Sequence, residues 1–195
     1  MRLVLASASP RRAELLRAAG FTFDVVPADV DERVHGAERA ADYVRRLAEE
    51  KSAAAWGACV ASGLGGTDDV VVLGADTSVV VDGEILGKPR DDREAAAMLR
   101  RLSGRRHEVM TGVSLRSKDG ERGLLATTGV YMVDLREEEV AWYVASGEGR
   151  DKAGAYAIQG LASRFIPRIE GSYANVVGLP VAAVSILLRE LASAG

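Results

Sequence analysis

Asp76 is the residue whose type and setting first suggest chemistry. It follows VVVLGA at residues 70–75, a β-branched run that reads as a central strand covered on both faces. A carboxylate at the C-terminal end of such a strand is where α/β sheets present ligand groups. The chain then continues as a second strand over residues 78–81. Asp82-Gly83 signals a type I′ turn, since both residues tolerate positive φ, and Ile85 and Leu86 return toward Gly87-Lys88-Pro89. One hairpin thus brings Asp76 near Lys88, a pair suited to a metal and a phosphate. The plainer alternative is a strand-end acid and a solvated lysine. GEILGKP imitates half of a phosphate-binding P-loop but is not one: three residues separate Gly83 from Gly87, and Pro89 stands where Ser or Thr would hold a metal.

A second group lies in SASPRR, where a first strand (residues 3–6) meets a helix begun by Ser9 and Pro10. Ser7, Ser9, Arg11 and Arg12 all fall near the positive end of that helix. Two arginines in a first turn oppose the helix dipole, and a local rule broken this way marks a candidate site. An anion would satisfy the backbone N–H groups, the hydroxyls and both guanidinium forks together. Otherwise the arginines point to solvent.

Lys51 is the third candidate. It falls on one face of a long helix (residues 37–58) with Tyr43 and Leu47, on the apolar stripe. There it either snorkels to the edge or reaches a phosphate. The preceding acidic loop, residues 28–36, carries Asp29, Asp31 and Glu32, either solvated or a source of metal carboxylates. Further on, DKAGAYAIQG (residues 151–160) packs small residues between Lys152, Tyr156 and Gln159. A glutamine amide offers both a donor and an acceptor and can read a base edge; the alternative is a satisfied loop glutamine. His107 has no identifiable partner in the sequence, and His35 has no motif around it.

The remaining elements must position these residues. A second strand over 21–26 pairs with the first. Gly-rich residues 62–69 link the long helix to the central strand. Asp91-Asp92 caps an amphipathic helix to about Leu102, with Ala95, Met98, Leu99 and Leu102 as its stripe. Two strands, about 108–116 and 123–135, form an antiparallel hairpin. A helix over 136–146, a strand over 164–169, a loop over 171–179 and a C-terminal helix from Pro180 complete the chain.

With 195 residues, the chain is expected to be one domain spanning 1–195. A net charge of −3 excludes a uniformly basic nucleic-acid binder. No segment approaches the roughly 20 apolar residues that span a bilayer, and no signal peptide is evident, so the expected setting is cytoplasmic, away from membranes. One cysteine and two histidines cannot assemble a zinc site of the usual kind. Cys59 is expected to be buried.

Four separated blocks then carry more than local physics: SASPRRAELL, GADTSVVVDGEILGKP, LSGRRHEVMTGV and DKAGAYAIQG…GSYANVVGLP. Together, from Leu5 to the last helix, they make the sequence resemble the Maf family of nucleoside triphosphate pyrophosphatases. The resemblance implies an α/β fold of the Maf/ITPase-like kind, with an elongated mixed sheet flanked by helices and two lobes around a central cleft. It implies hydrolysis of a nucleoside triphosphate to the monophosphate and pyrophosphate with a divalent cation, Mg²⁺ or Mn²⁺. The family's proposed proton acceptor falls on Asp76. Positions assigned to substrate choice fall on Arg12, Thr77 and Gln159, and those for phosphates or metal on Lys51, Lys88 and Glu32. The subgroup acting on dTTP and UTP looks nearest, because it carries ADT and IQG, here Asp76-Thr77 and Ile158-Gln159.

On this reading Arg11, Arg12, Lys51 and Lys88 neutralise the triphosphate, and Glu32 and Asp76 are the metal candidates. Asp76 orients and deprotonates the attacking water, and Thr77 and Gln159 bind the pyrimidine edge. The resemblance also suggests a homodimer and links the family to removal of modified nucleotides and to cell division arrest. Two alternatives remain open: a pyrophosphatase for modified purine nucleotides such as 7-methyl-GTP, and a non-enzymatic nucleotide-binding regulator of septum formation.

Overall fold

The computed structural model describes residues 1–63 and 69–193. Strands β1 (Arg2–Leu5) and β2 (Phe23–Val25) flank helix α1 (Pro10–Ala18), and helix α2 (Ala40–Ala61) precedes the long strand β3 (Val70–Val81). Then follow β4 (Glu84–Leu86), α3 (Asp92–Leu102), β5 (Arg106–Ser117), β6 (Gly120–Tyr131), α4 (Glu137–Ala145), β7 (Arg168–Glu170), α5 (Tyr173–Val177) and α6 (Val181–Ser193). The sheet has seven strands in the order β2-β1-β3-β5-β6-β7, with β4 also on β3. Strands β2, β1 and β3 run parallel, whereas β4 pairs with β3 and β7 with β6 in antiparallel fashion. The expected mixed α/β fold is therefore present. Most of the Gly-rich link at residues 62–69 lies outside the described residues.

The chain groups into two units. One comprises Met1–Asp76, Thr111–Ala126 and Gly178–Gly195, and the other Thr77–Met110 and Thr127–Val177. In the first unit, alternation along β1 and β3 sends Leu3, Leu5, Val71 and Leu73 into one core with Leu16 of α1 and Leu188 of α6. Val4, Val70 and Val72 face the opposite way, against Ala55 and Cys59 of α2. The unbroken β-branched run thus reflects a strand covered on both faces.

Helix α2 lies unusually near the sheet because two sheet residues lack a side chain. A Cβ at Gly74 would lie 2.2 Å from the Ala48 carbonyl oxygen and 2.7 Å from the Ser52 nitrogen. One at Gly112 would lie 2.2 Å from the Val44 carbonyl oxygen. Backbone cannot yield as a side chain does, so Gly74→Ala is expected to cost about 1–3 kcal/mol, read by urea unfolding. Activity should fall with it, because the backbone atoms it strikes flank Lys51.

In the second unit, helix α3 buries Ala95, Met98, Leu99 and Leu102, the stripe expected from its spacing. Its Asp91 cap accepts from the Glu94 N–H at 2.7 Å. The β3–β4 turn holds Asp82 at φ 54° and Gly83 at φ 78°, as a type I′ turn requires. His107 of β5 is buried, with its Nε2 2.8 Å from the Tyr156 hydroxyl and the rings edge to face. It therefore has a partner that sequence reading did not find.

Three expectations need correction. Strand β3 does not end at Asp76 and restart at Ser78. It runs unbroken for 12 residues, because Gly74 and Asp76 interrupt its apolar pattern without offering a turn. Residues 161–165, assigned in part to a strand, form a 3₁₀ turn, Leu161–Phe165, and extended pairing begins only at Arg168. The loop expected over residues 171–179 contains α5, a single short helix.

Candidate active site

Ser9 adopts extended backbone at the N-cap of α1, with Pro10 in the first turn. At the other end, the N–H groups of Gly20 and Phe21 close on the carbonyls of Arg17 and Leu16, a Schellman stop made possible by the positive φ of Gly20. The helix start is folded back on itself: the Ser9 N–H donates to Ser7 Oγ at 3.2 Å. Arg12 does not point to solvent. It is 9% exposed, and its Nη1 donates to Ser7 Oγ at 3.1 Å and its Nε to the Gly178 carbonyl at 2.9 Å. Burial lowers the proton affinity of this guanidinium, while Asp76 and Glu32 act to raise it and Arg11 to lower it. Arg12 is thus a fixed cation close to two carboxylates. Arg11, the neighbouring residue, is half-buried.

The face of α2 set by Tyr43, Leu47 and Lys51 is buried along its length. Lys51 neither snorkels nor waits alone. Its Nζ donates to Asp76 Oδ1 at 2.7 Å and to Glu32 Oε1 at 2.6 Å. The acidic loop is tied to the same helix. The Tyr43 hydroxyl donates to the Glu32 carbonyl at 2.8 Å, and Arg46 donates to the Arg33 carbonyl and to Glu38. Asp31 turns its carboxylate onto Arg33. Of the candidate acids in that loop, Glu32 is the one whose side chain the structure places on Lys51.

Asp76 is 8% exposed and sits where two pairings of β3 leave off: the β1 register ends at Leu73 and the β4 register begins at Val79. Its carboxyl is pushed above the usual carboxylate range. Burial is the main cause and Glu32 adds to it, against the lowering fields of Lys51 and Arg12. A carboxylate held this way is a better proton acceptor than a solvated one. Among the described residues no group of three or more His, Cys, Asp or Glu could hold a metal. The Glu32–Asp76 pair offers hard oxygen donors, and Mg²⁺ commonly takes one or two carboxylates with phosphate and water completing its shell. Their donor chemistry suits such a cation, and in this structure both carboxylates accept from Lys51 Nζ.

Thr77, Lys88 and Gln159 belong to the second unit. Thr77 continues β3, and Lys88 is exposed two residues beyond Leu86, the last residue of β4. The neighbouring Gly87 carbonyl accepts the Gly154 N–H at 3.1 Å, which ties this segment to DKAGAYAIQG. Gln159 occupies the third position of a turn over residues 157–160, closed by the Gly160 N–H on the Ala157 carbonyl at 3.1 Å. Ile158 is buried and Gln159 exposed. Two residues that sequence reading left as helix and loop, Tyr143 and Glu148, grip the ends of this turn: the Ala157 N–H donates to the Tyr143 hydroxyl at 3.0 Å and the Leu161 N–H to Glu148 Oε1 at 2.9 Å. No spacing in the chain signals them, because both contacts reach across more than ten residues.

Residues 2–191 match the family described as Maf-like protein. The chain belongs to the Maf family. Among curated relatives, a protein of Hahella chejuensis named dTTP/UTP pyrophosphatase is 51% identical over 97% of this chain and 92% of its own length. Proteins of the same name from Methylobacillus flagellatus and Vibrio vulnificus are 52% and 48% identical, over 96% and 97% of this chain and 92% and 98% of theirs. Among solved structures, the Staphylococcus aureus Ham1 protein aligns at a TM-score of 0.43 and 17% identity, covering 69% of this chain and 73% of its own.

The Maf blocks now have physical content. SASPRRAELL is the β1–α1 corner that buries Arg12. GADTS supplies Gly74 for the approach of α2 and Asp76 for Lys51. The GLP of the last block supplies the Gly178 carbonyl that orients Arg12. The fourth block's IQG is the turn itself.

Proposed function

We propose that the chain hydrolyses dTTP and UTP to the monophosphate and pyrophosphate. The observation that carries the reading is the buried Lys51–Asp76 pair, with exposed Glu32 also on Lys51 and buried Arg12 beside it, in a chain about half identical to relatives of that name. In this mechanism Asp76 orients a water and takes its proton as the oxygen attacks the α-phosphorus, and pyrophosphate leaves. Ser7, Ser9, Arg11, Arg12 and Lys51 are assigned to the phosphates. Arginine grips phosphate oxygens with its fork, and lysine acts as a point charge. Glu32 and Asp76 would hold a divalent cation, which supplies further positive charge against the phosphates when bound. In the second unit Lys88 is assigned to phosphate, and Thr77 and Gln159 to the pyrimidine edge. Unpaired donors and acceptors then penalise other bases. Among the described residues no helix is long and apolar enough to cross a membrane.

The test is product analysis with dTTP, UTP, CTP, ATP, GTP and 7-methyl-GTP, each with Mg²⁺ and Mn²⁺. The expected result is preferred turnover of dTTP and UTP with pyrophosphate and monophosphate in equal amounts. Orthophosphate in place of pyrophosphate would move the attack to the γ-phosphorus and overturn the mechanism. Preference for 7-methyl-GTP would overturn the substrate.

A further inference from the structure

Tyr143 and Glu148 form a closed hydrogen-bonded ring around the turn at residues 157–160. The Tyr143 hydroxyl donates to Glu148 Oε2 at 2.7 Å and accepts the Ala157 N–H at 3.0 Å, on the near end of the turn. At the far end Glu148 accepts the N–H groups of Leu161 at 2.9 Å and Ala162 at 3.4 Å. The Tyr143 ring is buried and stands edge to face on Phe165 at 6.1 Å, so the hydroxyl cannot wander. Burial and Glu148 both hold its proton on, which fixes the direction of the bond to Glu148. On the other side, a Cβ at Gly160 would lie 1.9 Å from Glu148 Oε1, so the carboxylate packs directly on the turn. None of these bonds uses the side chain of Gln159. They constrain the backbone on both sides of it.

We propose that Tyr143 and Glu148 are positioning residues for Gln159, and that base selectivity depends on their grip on this turn. The proposal rests on the reading above that Gln159 contacts the base. A Phe at position 143 would pack on Phe165 as well as Tyr does, so packing alone leaves the hydroxyl without a purpose. An amide that discriminates bases must be held within about 0.5 Å of its working place. A turn gripped at only one end would not hold it so.

The test measures kcat/KM for dTTP and dCTP in wild type, Tyr143→Phe, Gln159→Ala and the double variant, with melting temperatures for each. Tyr143→Phe is expected to lower the dTTP:dCTP ratio about tenfold, the worth of roughly one hydrogen bond. The change should lie mainly in KM for dTTP, with kcat and melting temperature near wild type. In the Gln159→Ala background the same substitution should leave the ratio unmoved, because its effect passes through Gln159. Should Tyr143→Phe fail to fold, Glu148→Gln serves: a carboxamide cannot accept from both the Tyr143 hydroxyl and the flanking N–H groups. Its expected ratio change is the same and likewise absent without Gln159. If Gln159→Ala shifts the ratio but neither positioning variant does, the positioning role is wrong and the reading of Gln159 stands. A ratio change of equal size in both backgrounds would show a general effect on the fold and overturn the role too. If Gln159→Ala leaves the ratio unchanged, the reading of Gln159 falls and takes this proposal with it.

Discussion

Asp76→Asn is expected to lower kcat on dTTP by about 10²–10⁴-fold, the usual worth of a positioned general base. Asparagine keeps the size of the side chain and an oxygen that can still accept from Lys51. It removes the negative charge and the ability to take a proton. Lys51 retains Glu32 at 2.6 Å, so the substitution does not strand a buried ammonium. Calorimetric binding of dTTP in saturating Mg²⁺ should stay within a few-fold of wild type, which separates proton transfer from binding. Undiminished kcat would remove Asp76 from the role of base. Loss confined to KM would make it a binding group only.

The second large effect concerns stability. His107 is 2% exposed, and desolvation, aided by Arg106, depresses its proton affinity from the ordinary value of 6.5 to about 4. The Tyr156 hydroxyl meets Nε2, and Nδ1 has no hydrogen-bond partner among the described residues. Because the folded value is below the unfolded one, the neutral ring favours the folded state. That contribution is complete above pH 6.5, where both states are neutral. It is lost as the pH falls toward about 4, because the unfolded chain takes up a proton that the folded chain resists. The loss amounts to about 3 kcal/mol by pH 4. Urea unfolding at pH 7 and pH 4 should therefore show a drop about 3 kcal/mol smaller in His107→Gln than in wild type. Equal drops would mean that His107 binds its proton as well in the folded protein as in the unfolded chain, and that burial does not depress its proton affinity.

Local rules found the α3 stripe, the Asp82-Gly83 turn and the two-sided covering of β3, because each depends on neighbours within a few positions. Sequence reading puts Asp76 at a strand end, whereas it lies within β3. Gly74 and Asp76 break an apolar pattern, and sequence alone does not reveal that the glycine admits the backbone of α2. Lys51 was placed on the buried stripe of its helix, yet its partners lie 19 and 25 residues away. The choice of Glu32 over Asp31 depended on Arg33 capturing the latter. His107 was passed over for want of a partner, and that partner is 49 residues on. Helix α5 is shorter than the span over which periodicity can speak. The Maf blocks carry the proposed site residues without indicating what supports them. Tyr143 and Glu148 lie outside every block.

That support has an evolutionary consequence. The turn at 157–160 is secured by backbone bonds and by the absence of a side chain at Gly160, while the one exposed side chain it presents is Gln159. A single codon change there exchanges the group offered to the solvent without disturbing a strand, a helix or the core. On the proposed reading of Gln159, substrate range can therefore diverge among descendants of this fold by drift at one position, with heritable variation in preference uncoupled from the conservation of folding.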